Sequence, residues 1–130
     1  MAETSASAAL AAAALEALGR IEGLNGAYDG RPVKATAPYA TIELGPENDW
    51  SWKGGEGREL RLAATVRDAG EKPGRLRGLM AAVEAALLET GAAGGWRIVN
   101  VVRARARTGQ KRAGDWVGVI EVRVRMERPG

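Results

Sequence analysis

The feature that most constrains the fold is the order in which two periodicities follow one another along this chain of 130 residues. Four stretches alternate apolar and polar residues, as half-buried β-strands do, and they cover residues 39–44, 59–67, 96–107 and 115–128. An alanine-rich stretch with leucines at helical spacing precedes each pair. Hairpin-length connections then predict an α+β two-layer sandwich, in which a mainly antiparallel four-stranded sheet carries two helices packed on one face.

The two predicted helices carry start and stop signals. The first begins after Ser5 or Ser7, whose hydroxyl groups can cap a helix, and runs to about Leu18. The second opens at Gly70 and stops at Gly91. Both segments therefore have the length of ordinary helices in a small globular protein.

The length predicts one domain that covers residues 1–130. Within it, we expect residues 1–4 to be flexible and residues 46–57 to form a long loop. The sequence of that loop, PENDWSWKGGEG, is polar and glycine-rich and contains two tryptophans. Long ordered loops tend to be functional. The segment TGQKRAG at 108–114 separates the last two predicted strands.

The apolar residues predict a thin core. Alanine accounts for 25 of them, which leaves 34 large apolar side chains and no phenylalanine. Burial stabilises by about 25 cal/mol per Å² of apolar area, so alanine contributes little, and we expect a partner to complete the burial. Gly78 falls within the second predicted helix, where glycine costs about 1 kcal/mol relative to alanine. We expect close contact with the sheet to explain it.

The chain contains no cysteine and no histidine, which excludes disulfides, thiolate metal sites, cysteine nucleophiles and histidine bases. We therefore expect no enzyme activity, no cofactor and no metal site. Lys53-Gly54-Gly55 lacks the glycine spacing and the following helix of a phosphate-binding loop. Five carboxylates near the loop do not match the spacing of a calcium loop. They are interpreted as a solvated acidic edge: Glu43, Glu47, Asp49, Glu56 and Glu59.

The charge is unevenly distributed. Residues 1–66 contain six Lys or Arg against nine Asp or Glu, whereas residues 67–130 contain thirteen against seven. Such asymmetry suits contact with nucleic acid or head-to-tail contact between copies of one protein. The longest run of alanine and leucine, residues 8–15, is far shorter than the ~20 residues that a transmembrane helix needs. No signal-peptide pattern precedes it, which favours a cytoplasmic protein.

Seven cations are predicted to form a basic ribbon on the last hairpin, because alternate residues of a strand share one face. They are Arg103, Arg105 and Arg107 on one strand, Arg123 and Arg125 on the next, and Lys111 and Arg112 at the tip. We interpret the ribbon as a surface for a phosphate backbone or an acidic partner. The alternative is a solvated strand face that resists edge-to-edge aggregation. No aromatic residue lies within the ribbon, so base reading by stacking is not supported.

The tryptophan pair in the predicted loop is a candidate subunit interface. The residues concerned are Asp49, Trp50, Ser51, Trp52 and Lys53. Tryptophan is enriched among the residues that contribute most to protein–protein binding. The alternative is that both rings fold back as a lid on the thin core.

Three motifs in this order carry a family resemblance. They are Tyr28-Asp29-Gly30, the strand start Pro38-Tyr39-Ala40-Thr41-Ile42, and Asp49-Trp50-Ser51-Trp52-Lys53 followed by Gly54, Gly55 and Gly57. From about Leu10 to Glu127 the chain resembles the tail-terminator or tail-completion (head–tail joining) proteins of long-tailed bacteriophages and gene transfer agents. Trp52 departs from the family's pattern, so its role is open.

The resemblance implies a structural virion protein without catalytic activity or cofactor. It would form a homo-oligomeric ring, a hexamer, on the head-proximal end of the tail tube, end tube polymerisation and join the tail to the head connector. Its partners would be other copies of itself, the tail tube protein, the connector protein and DNA passing through the lumen, with no membrane. It would occupy the bacterial host cytoplasm during assembly and then the phage-like particle.

Two other functions remain open at this point. A small basic protein could bind DNA or RNA non-specifically through the hairpin at 103–125, with an affinity that falls steeply as salt rises. An enzyme that relies on carboxylates or lysine would need a deep pocket, which a two-layer, alanine-rich domain does not favour.

Overall fold

Helices and strands follow the predicted order, with two short strands added. The computed structural model describes residues 4–129, so the flexibility predicted for residues 1–3 lies outside the described residues. The elements are α1 (Ala6–Gly19), β1 (Ala27–Asp29), β2 (Tyr39–Asp49), β3 (Gly55–Ala69), α2 (Gly74–Leu88), β4 (Ala92–Ala93), β5 (Trp96–Arg112) and β6 (Asp115–Pro129). Thr4, which was also expected to be flexible, is held in place. Its carbonyl oxygen accepts a hydrogen bond of 2.9 Å from Trp96 Nε1 and one of 3.2 Å from Arg128 Nη1.

The α+β class is confirmed, but the strand count was wrong. The sheet has six strands in the order β1-β2-β3-β6-β5-β4. It is mixed, because β1 pairs with β2 in parallel while the other pairs are antiparallel. The two strands that sequence reasoning missed contain three and two residues, and strands this short show no alternation that could be recognised.

Sheet and helices share one core on one face of the sheet. Even-numbered residues of β3 and β6, such as Leu62 and Val122, are buried together with Leu18 of α1 and Val83 of α2. The odd-numbered residues from Glu59 to Arg67 of β3 and from Val117 to Arg125 of β6 pair with one another on the opposite face. We call this opposite, helix-free face the open face.

Helix boundaries follow the capping residues closely for α1 and less closely for α2. The Ser5 hydroxyl accepts a hydrogen bond of 3.2 Å from the Ala8 N–H at the start of α1, as the sequence predicts. Helix α2 begins at Gly74 and ends at Leu88, not at Gly70 and Gly91. Gly70 has a φ of +147° and its N–H donates to the Gly114 carbonyl at 3.0 Å. It therefore belongs to the β3–α2 connection, which it ties to the β5–β6 turn.

The helix–sheet contact depends on a glycine other than the predicted one. A Cβ atom added at Gly78 would meet nothing within 4 Å, so the expectation of close contact there was wrong. A Cβ atom at Gly118 of β6 would lie 2.2 Å from Met80 Sδ. The strand, not the helix, provides the space in which α2 approaches the sheet.

The segment 46–57 is mostly strand, which corrects the predicted long loop. Strand β2 continues to Asp49 after an irregularity between Leu44 and Glu47, and β3 starts at Gly55. Pro46 has no N–H to donate, so the break in the ladder falls where a proline can be tolerated. The last hairpin is likewise tighter than predicted, since only residues 113–114 separate β5 from β6. Neither α1 nor α2 is long and apolar enough to cross a bilayer, a statement that covers residues 4–129.

Candidate partner-binding surfaces

Residues 49–53, which we call the tryptophan loop, are fixed by a small hydrogen-bond network. The Ser51 hydroxyl donates to Asp49 Oδ1 at 2.6 Å and accepts from the Gly57 N–H at 3.1 Å. The Trp50 N–H donates to the Gly57 carbonyl at 2.9 Å. The hydrogen bond from the Ser51 hydroxyl is the main reason why the pKa of Asp49 lies below its ordinary value. The loop is therefore ordered by its own short polar side chains.

Three glycines make room for the two tryptophans of this loop. A Cβ atom at Gly57 would lie 2.2 Å from the Trp50 carbonyl oxygen, and one at Gly55 would lie 2.7 Å from the Trp52 ring. A Cβ atom at Gly54 would lie 2.9 Å from Trp52 Nε1. The nearest atom to a Cβ at Gly55 is the Arg128 carbonyl oxygen, at 2.5 Å. The glycine-rich turn that follows the tryptophan motif is thus a steric requirement of the neighbouring backbone as well as of the rings.

The two rings have different surroundings. The Arg125 guanidinium lies 5.2 Å from the centre of the Trp50 ring, so Trp50 covers one end of the open face. Trp52 is 45% exposed. A shallow depression of about 530 Å³ is lined by Asp49, Trp50, Ser51, Trp52 and Glu127. Neither ring is among the residues of the buried core. Lys53 is exposed and has no ion pair within residues 4–129.

The structure does not place the predicted arginine row on one face. The register between β5 and β6 shifts between Arg103 and Arg105, so Ala104 is an extra residue on β5. Arg103 lies opposite Val122 on the helix side, and its Nε is 2.7 Å from Glu84 Oε1 of α2. A one-residue bulge of this kind turns the side chains that follow it to the other face. The prediction of one face for all three arginines was wrong.

Four cations of the predicted ribbon are already paired with acids within the chain. Arg105 forms an ion pair with Glu121, Arg125 Nε lies 2.9 Å from Glu59 Oε2, and Arg112 Nε lies 3.8 Å from Asp115 Oδ2. Arg103, described above, is the fourth. The remaining three, which have no ion pair among the described residues, are Arg107, Lys111 and Arg123.

Two further arginines on the open face were missed by sequence reasoning. Arg61 lies directly opposite Arg123 across the β3–β6 ladder, and Arg67 lies opposite Val117. Neither forms an ion pair within the described part of the chain. The sequence does indicate that both arginines share a face, since both sit at odd positions of a strand whose even positions are apolar. Without the strand order, nothing in the sequence places that strand beside β6.

The acidic residues near the tryptophan loop surround an arginine instead of a metal. Arg58 lies 3.6 Å from Glu47, 3.3 Å from Asp49 and 3.3 Å from Glu56. Glu59 is paired with Arg125, and Glu43 is exposed. Within residues 4–129, no group of three or more carboxylates is arranged to hold a metal ion.

Comparisons with known proteins find similarity among solved structures. No known protein-family model matches the sequence, and no curated protein matches it. Among solved structures, a chain from the virion of a native gene transfer agent particle has a similar fold, with a TM-score of 0.76 and 25% sequence identity. The match covers 96% of this chain and 99% of that chain. This chain is therefore similar, over nearly its whole length, to a protein of a gene transfer agent virion.

Proposed function

We propose that this chain is a structural protein of a phage-like or gene transfer agent particle. Specifically, it forms a ring that caps the head-proximal end of the tail tube, ends tube polymerisation and joins the tail to the head connector. The observation that carries the proposal is the similarity to a gene transfer agent virion chain over 96% of this chain. A match of this extent compares whole proteins, so it cannot come from one shared motif.

The motifs that carry the family resemblance support the proposal because two of them adjoin in the fold and the third lies at the end of the strand that they share. Tyr28-Asp29 lies in β1, which pairs with the Ala40–Ile42 part of β2. The Tyr28 and Tyr39 rings meet edge to face with centroids 6.1 Å apart. The Asp49-Trp50-Ser51 motif closes the β2–β3 turn at the other end of the same strand.

We propose the tryptophan loop as a subunit contact within this ring. Trp52 offers a large exposed apolar surface, and the hydrogen bonds of Asp49 and Ser51 hold the loop before any partner arrives. A contact that is ordered in advance loses less conformational entropy on binding. Trp50 and Lys53, which flank the exposed ring, complete the proposed contact.

The distribution of charge across the sheet suits a head-to-tail ring. Strand β2 carries three acids and no base, whereas β5 carries six bases and no acid. These strands lie near opposite edges of the sheet. In a ring, one surface of each copy contacts a different surface of the next. Acidic and basic surfaces at opposite edges are complementary in that arrangement.

Deletion of the gene in a cell that produces the particles tests the proposal. We expect tails of uncontrolled length, or tails unattached to heads, when particles are measured by negative-stain electron microscopy. Expression of the intact chain from a plasmid should restore tails of uniform length joined to heads. Normal particles from the deletion strain would contradict the proposal.

A further inference from the structure

The open face of the sheet holds a group of cations that the chain itself does not neutralise. They are Arg61, Arg67, Arg107, Lys111 and Arg123, and none has an ion pair or side-chain hydrogen bond within residues 4–129. Arginines on the same sheet that have acidic neighbours, such as Arg97, Arg105 and Arg125, are paired with them. The unpaired group is therefore a distinct surface, which we call the cationic strip.

The pair Arg61 and Arg123 is unfavourable for the isolated fold. Their Cα atoms are direct partners in the β3–β6 ladder, and like charges directly opposite one another destabilise a sheet. The Nε of Arg123 is buried and has no hydrogen-bond partner, although a buried donor without a partner costs about 1–3 kcal/mol. An anion placed over this pair would remove both costs.

The other end of the strip is a depression of about 410 Å³ without acidic lining. Its walls carry Arg67, Arg107 and Lys111, and its floor includes Val117 and Val119. Strand spacing of about 4.8 Å and a rise of about 3.4 Å per residue place Arg67 and Arg107 roughly 12 Å apart at their Cα atoms. Two cationic walls over a neutral floor form a groove that suits a chain of anions.

The strip is long enough for several phosphates. Arg61 and Arg67 are six residues apart on β3, which corresponds to about 20 Å. One strand of duplex DNA carries one charge per 3.4 Å of helix axis, so about six phosphates span that length. Between the two ends, Glu121 is neutralised by Arg105. Glu43, which is exposed, lies on the β2 side of the strip and lines a depression with Arg67. The path that stays cationic for a ligand therefore runs on the β6–β5 side, away from Glu43.

We propose that the cationic strip binds the phosphodiester backbone of DNA without reading its sequence. The depression with Arg67, Arg107 and Lys111 is lined by no aromatic ring for base stacking, and arginine and lysine are the residues that contact phosphates. This site differs from the hairpin predicted from sequence. Arg103 faces α2, Arg105 and Arg125 are neutralised within the chain, and Arg61 and Arg67 are added. The proposal does not rest on the role in a tail.

A binding experiment with two matched variants tests the site. The probe is a fluorescent 24-base-pair duplex of random sequence, titrated by anisotropy with the full chain. The strip variant carries Arg61→Gln, Arg67→Gln, Arg107→Gln and Arg123→Gln. The control carries Arg20→Gln, Lys34→Gln, Lys72→Gln and Arg77→Gln, all exposed and outside the sheet, and has the same formal net charge. Thermal melting of both variants establishes that they fold.

With four to five phosphates contacted, the logarithm of the binding constant should fall with the logarithm of salt with a slope of about −4. Affinity then drops roughly 150-fold or more between 50 and 200 mM salt. We expect the strip variant to lose at least about 50-fold in affinity at 50 mM salt and most of the slope. The control should keep a slope close to that of the natural chain, with a loss of a few fold.

Three results would overturn the proposal. The first is failure of the natural chain to bind the duplex at 50 mM salt, and the second is equal weakening by both variants, which would indicate a net-charge effect alone. The third is competition by poly-glutamate that equals competition by unlabelled DNA at the same charge, which would assign the strip to an acidic protein partner. None of these results bears on the proposed tail role, which is scored by particle morphology.

Discussion

Gly118 and Gly78 lie in the interiors of neighbouring elements, and a methyl group has opposite consequences at the two sites. At Gly78 the added Cβ meets nothing within 4 Å, so Gly78→Ala should raise the free energy of unfolding by about 0.5–1 kcal/mol through helix propensity. At Gly118 the Cβ would lie 2.2 Å from Met80 Sδ. Gly118→Ala should lower the free energy of unfolding by about 1–3 kcal/mol through overpacking. Urea unfolding followed by circular dichroism measures both. Equal effects of the two substitutions would contradict this account.

Asp68 is the buried charged residue of the described chain, and it fixes the start of α2 to the end of β3. Its carboxylate accepts a hydrogen bond of 2.9 Å from Arg75 Nε and one of 2.8 Å from the Ala69 N–H. The Arg75 hydrogen bond is the main reason why the pKa of Asp68 lies below its ordinary value of 3.8. Asp68→Asn should lower the free energy of unfolding at pH 7 by about 2 kcal/mol.

The pH dependence of the stability lost in Asp68→Asn follows from the lowered pKa of Asp68. A carboxylate whose folded pKa is lowered stabilises the protein above its unfolded pKa, and this contribution is lost as pH falls through the folded value. The difference between the natural chain and Asp68→Asn should therefore be constant above pH 5 and shrink below about pH 3.8. Urea midpoints at several pH values measure it. A difference that stays constant down to pH 2 would show that Asp68 acts by packing alone.

At the scale of elements, the sequence predicts periodicity well and register poorly. Both helices and all four long strands are visible as repeats, because each buries one face along most of its length. The bulge at Ala104 is not visible, because an alanine between two arginines looks the same in a regular strand. The face that Arg103 occupies depends on that single residue. The pairing of Arg61 with Arg123 depends on strand order, which no local pattern encodes.

The tryptophan loop is the element whose conformation is most directly set by glycine. A Cβ atom at Gly57 would lie 2.2 Å from a backbone oxygen, that of Trp50, which side-chain rotation cannot relieve. We expect Gly57→Ala to lower the free energy of unfolding by about 2 kcal/mol and to change the near-ultraviolet circular dichroism of the tryptophans. Trp52→Ala, which removes an exposed ring, should change stability by less than about 0.5 kcal/mol.

These two variants separate loop conformation from loop surface. If Gly57→Ala is as stable as the natural chain and has the same near-ultraviolet spectrum, the close approach of the Trp50 carbonyl to Gly57 does not set the loop. If Trp52→Ala instead destabilises strongly, the ring belongs to the fold and is less available for a partner. The first outcome would contradict the steric role of glycine, and the second would contradict the proposed contact.

At the scale of the whole molecule, the uneven distribution of charge along the chain becomes an uneven distribution of charge across the sheet. The acidic first half of the chain supplies β1, β2 and most of β3, and the basic second half supplies β4, β5 and β6. Because strand order keeps these halves on opposite sides of the sheet, copies can meet head to tail with opposite charges in contact. The same arrangement disfavours a two-fold dimer through either edge, since like charges would then meet.

Assembly of the purified chain should therefore depend on salt and on the acidic edge. At micromolar concentration and 50 mM salt, light scattering should give a mass of about six times 13.7 kDa, and a lower mass at 500 mM salt, where charges are screened beyond ~4 Å. Glu43 is exposed at that edge and has no ion pair within residues 4–129. Glu43→Lys should reduce the mass to that of one chain. Glu22→Lys, an equal change in charge on an exposed residue outside the sheet, should leave the mass unchanged.

A mass of one chain for the natural protein in every buffer, together with electron micrographs of tails without a terminal ring, would contradict ring formation. Equal effects of the two substitutions would contradict the role of the acidic edge while leaving the ring itself intact.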